Sequence, residues 1–467
     1  STLMRSSAAS DVYKRQGEYM KGNTQDLTKG SIVKAIILFS VPLLIGNLFQ
    51  QLYNAVDSYV VGNYVGKVAL AAVGASTPII NMLIGFFMGI STGAGVVIAQ
   101  FFGAGNTCKM KRAIHNSIAL TLVMGVVLTI VGLLFNDPIL KAIGVPSEVF
   151  SEASTYLSIY FWSLIFVMVY NMGSGILRSV GDSKRPLYFL IFSSVVNIIL
   201  DFLFVKYFHF GVAGAGYATL IAQAISAIMV MYVLMKTEDD YKVVLKEIGF
   251  DKEILLKIIK IGLPTGFQQS IVSLSNVIVQ SYINVYGASV IAGYSVTIKI
   301  DGFVNLPLQA FNMSITTFVG QNIGAKQYDR VKKGAYITTA LATLTIACFV
   351  VIMYFFGRDF IALFNQEKDV IDAGRLMQLT FLPFYIVLPI NQVINGVLRG
   401  AGRSAVPMYV MIFSFVFLRQ IYLFLITKVT SDIVYVFLGW PTTWVVCSLI
   451  FIIYFFKVQW LPQEKDA

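Results

Sequence analysis

Apolar residues run in stretches of about twenty, enough for a helix to cross the hydrocarbon core of a bilayer. They fall near residues 34–61, 69–101, 114–135, 153–177, 187–206, 212–235, 255–285, 289–319, 335–356, 373–398, 405–427 and 433–456. This predicts about twelve membrane-spanning helices, six in each half of the chain, and no strand architecture. Polar residues inside the stretches are few and periodic. In the first, Asn47, Gln50 or Gln51, Asn54 and Asp57 recur at three- and four-residue steps; in the fifth, Ser194, Asn197 and Asp201 do the same. Each set forms one stripe of a helix, with its acid toward the end.

The pattern is written twice. GILRSVGDSKRP begins at Gly175 and GVLRGAGRSAVP at Gly396, so Arg178, Gly181 and Pro186 recur 221 positions later as Arg399, Gly402 and Pro407. The same offset carries Gly66 to Gly287, Gln100 to Gln321, Gly103 to Gly324 and Ala104 to Ala325. Two homologous six-helix lobes follow, residues 20–235 and 255–457. Duplicated bundles that face one another suit a transporter, because a site between them opens to either side as they rock.

Composition agrees with a membrane environment: 57% of residues are hydrophobic, 13% are charged, and mean hydropathy is +0.75. The net charge of +11 does not point to nucleic acid, since the basic residues concentrate in alternate loops. Lys109, Lys111, Arg112, Arg178, Lys184, Arg185, Lys326, Arg330, Lys332, Lys333, Arg399 and Arg403 belong to one set; Asp137, Glu148, Glu152, Asp359, Glu367 and Asp369 belong to the other. The positive-inside rule assigns the basic set, and both termini, to the cytoplasmic side of the cell membrane. Residues 1–19 have no apolar core and read either as a foreign leader ahead of a start at Met20 or as a disordered tail. Residues 236–254 read as an amphipathic cytoplasmic linker along the membrane surface, and 458–467 as a cytoplasmic tail. Cys108, Cys348 and Cys447 give no disulfide or metal spacing. His115 and His209 are isolated near the membrane interfaces. The glycines at 103–105 lack a Walker lysine, so gradient coupling rather than ATP is the expected energy source.

A carboxylate inside a span is costly unless it faces a partner or a cavity. Asp57 and Asp201, at similar depth in one half, are therefore expected to share a pocket. A dehydrated pair resists double ionisation and should hold a proton or welcome a small cation. The second half does not copy it. Its seventh span repeats the stripe as Gln269, Ser273 and Asn276, but Val279 stands where the acid would fall, and Tyr422 stands 221 positions after Asp201. Coupling chemistry is thus expected in the first half alone. The second half offers Lys299 and Asp301, two positions apart and so not an ion pair on one face, with Thr297, Asn305 and Asn312 near Asp301, and Arg419 further on.

The run VPLLIGNLFQQLYNAVDSYVVGNYVGKVALAAVG, followed by VIAQFFGAGN, GILRSVGDSKRP and NIILDFLFV, resembles the multidrug and toxic compound extrusion (MATE) transporters over essentially all of the chain after Met20. The resemblance implies an all-α, two-lobed exporter of the MOP superfamily that expels amphipathic, often cationic compounds against a sodium or proton gradient. It is closest to the branch of the DNA-damage-inducible exporters, where Asp57 matches the first-helix acid and Asn197, Asp201 and Thr219 match the polar cluster around it. Asn171 joins that cluster. Asn47, Gln51, Tyr53, Asn54, Gln269, Ser273, Asn276, Asp301, Asn305, Gln392 and Asn395 are then expected to line the cavity. In another branch, acids on the seventh and tenth helices bind the cation; here the seventh lacks one and the tenth has Gln392 and Asn395 instead.

The expected protein is therefore a monomeric, multi-pass antiporter without cofactor or catalytic site, H+ or Na+ being its coupling ion and Asp57 and Asp201 the only candidate Na+ ligands. A lipid-linked oligosaccharide flippase would share the architecture but favour a cavity rich in Arg and Lys. An intramembrane transferase would need paired metal-binding carboxylates facing one pocket. Pro42 and Pro264 begin matching helices, and each removes a backbone donor and can bend its span.

Overall fold

The computed structural model describes residues 24–461; the readings for residues 1–19 and for the last six residues lie outside the described part. Twelve helical rods follow one another, and no strand occurs among the described residues. They are α1 (Ile32–Val60, prolonged by Val61–Val65), α2 (Lys67–Gly103), α3 (Thr107–Ala142), α4 (Ser147–Ser179), α5 (Lys184–Asp201, prolonged by Phe202–Tyr207) and α6 (Gly211–Lys236). The second series is α7 (Lys252–Asn284), α8 (Ala288–Gly324), α9 (Tyr328–Ala362), α10 (Lys368–Gly400), α11 (Ala405–Val429) and α12 (Ile433–Lys457). Ten of them are long and apolar enough to cross a membrane; α7 and α8 fall short of that standard. Both are as long as their neighbours, but Gln268, Gln269, Ser273 and Asn276 interrupt α7, and Lys299, Asp301 and Asn305 interrupt α8. These helices pack at the centre against α2 and one another, where polar groups meet protein or a cavity rather than lipid.

The turn between the first two helices of each half explains one recurring glycine. Gly66 has φ 118° and Gly287 φ 91°, a backbone region that a side chain would strain. That turn then starts α2 and α8, each 37 residues long, in the same way.

The core divides into two clusters, and the two halves exchange helix ends. Ile36, Phe39 and Leu43 of α1 pack into the cluster built by α8–α12, whereas Ile254, Ile258 and Ile261 of α7 pack into the one built by α2–α6. Apolar area buried in this crossed way holds the lobes together without a covalent bridge.

The two crossings are not alike. α2 meets α7 through Gly89 and Gly93 against Gly262 and Gly266, so closely that a Cβ on Gly262 would lie 2.8 Å from Ile90 Cα. Small residues permit this approach and so let backbone dispersion contacts form. Where α8 meets α1, Ala310 and Ser314 stand in place of Gly89 and Gly93; the contact there is a long bond from Ser314 Oγ to the Ile36 carbonyl (3.5 Å).

At the end carrying the basic loops, two segments strap the bundle. Residues 24–31 run across it: the Gln25 amide donates to the Gly181 carbonyl (3.1 Å), the Leu27 amide to Gln321 Oε1 (3.1 Å), and the Arg330 guanidinium to the carbonyls of Leu27, Lys29 and Gly30. The stretch between α6 and α7, read as an amphipathic linker, is mostly extended, with one short turn at Leu245–Glu247, and its polar atoms are bound by α3. His115 Nε2 accepts from the Val244 amide (2.9 Å), Asn116 Nδ2 donates to the Asp251 carbonyl (2.7 Å), and Lys111 pairs with Asp240 (3.2 Å). His115 is accordingly buried and partnered rather than isolated.

Candidate functional site

The stripe on α1 and the stripe on α5 come together. Asp57 (8% exposed), Asn197 and Asp201 (0% exposed) are buried, with Thr219 of α6 beside them. Their atoms lack partners to a degree unusual for a folded interior. Asp57 Oδ1, both carboxylate oxygens of Asp201, both side-chain atoms of Asn197 and Ser194 Oγ make no hydrogen bond. Asp57 and Asp201 lie near enough for the charge of one to act on the other, and the phenols of Tyr53 and Tyr156 are within range of both. A cavity of about 10 Å³, lined by Tyr53, Ser193, Ser194, Asn197, Thr219 and Gln223, lies close by, Tyr53 being within range of both acids. It has room for roughly one water molecule or an ion of that size.

The backbone positions this cluster. Each acid is followed by a stretch with wider helical turns, Val61–Val65 after Asp57 and Phe202–Tyr207 after Asp201. Such turns disturb the regular backbone ladder and are frequent at functional sites. The two stretches touch: Tyr64 packs edge-on against Phe202 (6.0 Å), and Lys206 lies over Tyr64 (5.1 Å), which ties the ends of α1 and α5 at one depth. In the second half the wide turns fall elsewhere, at Phe413–Leu418, so the halves differ in backbone as well as in side chains.

In the second half the buried atoms without partners include Gln268 Oε1, Arg399 Nε, Ser414 Oγ, Arg419 Nε and Gln420 Oε1 but no carboxylate. Asp301 accepts a short hydrogen bond from the Tyr385 hydroxyl and another from Asn305 Nδ2 (3.4 Å). Lys299 is exposed and lies over Phe364. Arg419 donates to Asn276 Oδ1 (3.1 Å) and Thr443 Oγ1 (3.2 Å) and is sandwiched by Phe415 and Trp440. Val279 packs as core, and the half-buried Tyr422 donates its hydroxyl to the Tyr435 carbonyl (2.9 Å).

The remaining expected residues are dispersed. Asn171 bonds its own helix at the Val167 carbonyl (2.8 Å) and does not line the small cavity. Asn47 is half-buried, and Gln51 and Asn54 are exposed, as is Gln269. Ser273 and Asn276 line a groove of about 630 Å³ between α2, α3, α4 and α7, with Thr77, Asn81, Met82 and Phe161, and none of its lining residues is charged. Gln392 and Asn395 sit in a separate network, through Asn312 Nδ2 to the Gln392 carbonyl (2.6 Å) and Arg399 to Asn395 Oδ1 (3.1 Å). The sequence reading missed Tyr156 beside the acids, whose α4 phenol carries no periodic signal. It also missed the central position of Arg178 and Arg399, although the repeat marked both. No group of three or more His, Cys, Asp or Glu residues fit to hold a metal occurs among the described residues.

Comparison with known proteins bears on this geometry. A family model described as MatE matches residues 42–203 and again 264–425. The chain is 31% identical over 450 residues to the Probable multidrug resistance protein YoeA of Bacillus subtilis, covering 94% of this chain and 97% of that one. It is 24% identical to the Multidrug export protein MepA of Staphylococcus aureus, over 82% and 85% of the two chains. Among solved structures, a MOP superfamily transporter from Pyrococcus furiosus superposes with a TM-score of 0.88 at 24% identity, over 93% of this chain and 97% of that one. A MATE protein in the straight conformation gives 0.86 at 25% identity, over the same shares.

Proposed function

The chain belongs to the MatE family, and from that premise we propose that it exports amphipathic, chiefly cationic compounds in exchange for H+ or Na+ taken up at Asp57 and Asp201. The coarser part rests on the family: this is a multi-pass membrane transporter of the multidrug type. The finer part rests on one observation. Six buried polar atoms of Asp57, Ser194, Asn197 and Asp201 lack any partner, and five of them are oxygens that suit a proton or a small hard cation.

Two neighbouring buried carboxylates cannot both stay charged and unpaired in a low-dielectric interior. Entry of a cation would satisfy them and tighten α1 on α5; its departure would leave them to part or to bind a proton. Coupling arises because the cation and the drug favour different arrangements of α1, and a ligand shifts an equilibrium only by its differential affinity. The uncharged groove beside Ser273 and Asn276 supports the choice of substrate, since it offers apolar wall with a few amides and hydroxyls and no fixed cation to repel a positive drug. We place the basic loops, and both termini, in the cytoplasm, and the working unit is one chain.

The test is flux of a cationic dye in liposomes holding the purified protein, with sodium and proton gradients imposed separately. One gradient should drive export, and Asp57→Asn should abolish that drive at normal expression. Equal flux without either gradient would refute antiport.

A further inference from the structure

A second cavity lies where the two halves meet, away from the acids. It is lined by Ser91, Gly95, Arg178 and Ser179 from the first half and by Asn312, Thr316 and Arg399 from the second, with a volume of about 50 Å³. Arg178 and Arg399 are counterparts in the repeat, and so are Ser91 and Asn312, and Gly95 and Thr316. The cavity therefore sits on the relation that exchanges the halves. Its floor is closed at the basic end by Gln100, which reaches the Gly400 carbonyl, and by Gln321, which reaches the Ser179 carbonyl.

Neither arginine has an acidic partner among the described residues. Arg399 is 5% exposed, is held by Asn312 Oδ1 (3.4 Å) and Asn395 Oδ1 (3.1 Å), and keeps an Nε–H with no partner. The Arg178 guanidinium makes no hydrogen bond to a described residue. Three of the lining hydroxyls have their protons committed: Ser91 donates to the Asn171 carbonyl, Ser179 to Gly175, and Thr316 to Asn312 and Gly396. What remains free to donate is the Thr317 hydroxyl, which also lines the cavity, and the pair of guanidiniums. A buried guanidinium and a half-buried one, converging from opposite lobes on one small polar cavity, favour a negative partner there.

We propose that this cavity binds a compact anion, a phosphate or a carboxylate group, shared by Arg178 and Arg399, and that the bound anion clamps the two halves together at their basic ends. The volume admits roughly three or four water-sized positions, which suits such a group and excludes a whole drug molecule. A ligand that touches both halves binds only when they are closed, so it stabilises the closed arrangement by mass action. The inference stands whether or not Asp57 and Asp201 carry the coupling cation.

The experiment uses the full chain in nanodiscs of uncharged phosphatidylcholine, titrated calorimetrically with inorganic phosphate and, separately, with benzoate. Saturable binding of either probe is expected. Phosphate alone would identify a free anion as the occupant; benzoate alone, the carboxylate of a carried molecule. Arg178→Gln and Arg399→Gln should each weaken binding about tenfold or more, while Arg178→Lys and Arg399→Lys, which keep the charge and lose the fork, should weaken it less. Spin labels on the loops 104–106 and 325–327 should show the short-distance population rise with the anion. The proposal is overturned if neither probe binds the folded wild-type protein, if one arginine can be replaced by glutamine or lysine without effect, or if binding leaves the distances unchanged.

Discussion

Gln100 and Gln321, counterparts in the repeat, each cross to the other half: Gln100 Nε2 donates to the Gly400 carbonyl (3.0 Å) and Gln321 Nε2 to the Ser179 carbonyl (2.8 Å). Ser179 and Gly400 are themselves counterparts, 221 positions apart. The pair forms a latch that must break for the basic ends to separate. Each bond contributes about 0.5–1.5 kcal/mol. Replacing both glutamines by alanine should therefore shift the closed population toward open by roughly five- to 150-fold. Spin-label distances between the 104–106 and 325–327 loops measure this, and an unchanged distribution would show that the latch is not limiting.

For the acids, Asp57→Asn and Asp201→Asn should each reduce gradient-driven export by at least tenfold while leaving expression and folding intact, since each removes a charge that lacks a partner. The double variant should lose no more than either alone, because the two act on one cation. Additive losses in a flux assay would place them in separate sites.

Asp301 should behave differently, because its carboxylate already has Tyr385 and Asn305 as partners. Tyr385→Phe should destabilise the protein by about 1 kcal/mol, the net worth of one hydrogen bond to a half-buried carboxylate, and leave the ion dependence of transport unchanged. Thermal unfolding in detergent, run beside the flux assay, separates the two effects.

Gly93→Ala should impair folding more than Ser314→Ala. A Cβ at Gly93 meets the Gly262 backbone, and forcing extra atoms into a closed contact costs about 1–3 kcal/mol. Ser314 makes only its long bond to Ile36. Yield of folded protein and melting temperature give the comparison.

The 24–31 strap carries a pH dependence. At Asp26 burial works to raise the carboxyl pKa, but bonds from the Thr28 hydroxyl and amide, and Lys29 at 3.1 Å, outweigh it and hold the value below the ordinary 3.8. An acid with a depressed folded-state pKa stabilises the folded strap above its unfolded value, and that stability is lost as pH falls through the folded one. Hydrogen exchange at the Gln25 and Leu27 amides should thus be independent of this group from pH 7 down to about 4 and gain a faster component below. Asp26→Asn should exchange faster throughout and lose the acid step.

Sequence determined the class of this protein, its duplication and the identity of the two acids, because those features are local or periodic. A twenty-residue apolar run admits one solution in a bilayer, and a three- and four-residue step puts Asp57 and the amides of its stripe on one helical face whatever lies opposite. The fixed offset likewise made Gly66 and Gly287 legible as equivalent turns. Several things were decided only by tertiary structure, since they depend on which helices meet. The first turns of α1 and α7 pack into the opposite halves, which no periodicity records. Along the chain Asp301 could equally line the cavity or hold the structure, and only the fold supplied Tyr385 to it and left Asp201 bare. Of the two span amides Asn171 and Asn197, one turned to its own helix and the other was left without a partner at the small cavity. Hydrophobic burial has no direction and sets which faces turn inward; hydrogen bonds do have direction, so partnership at a buried charge exists only once the helices are placed.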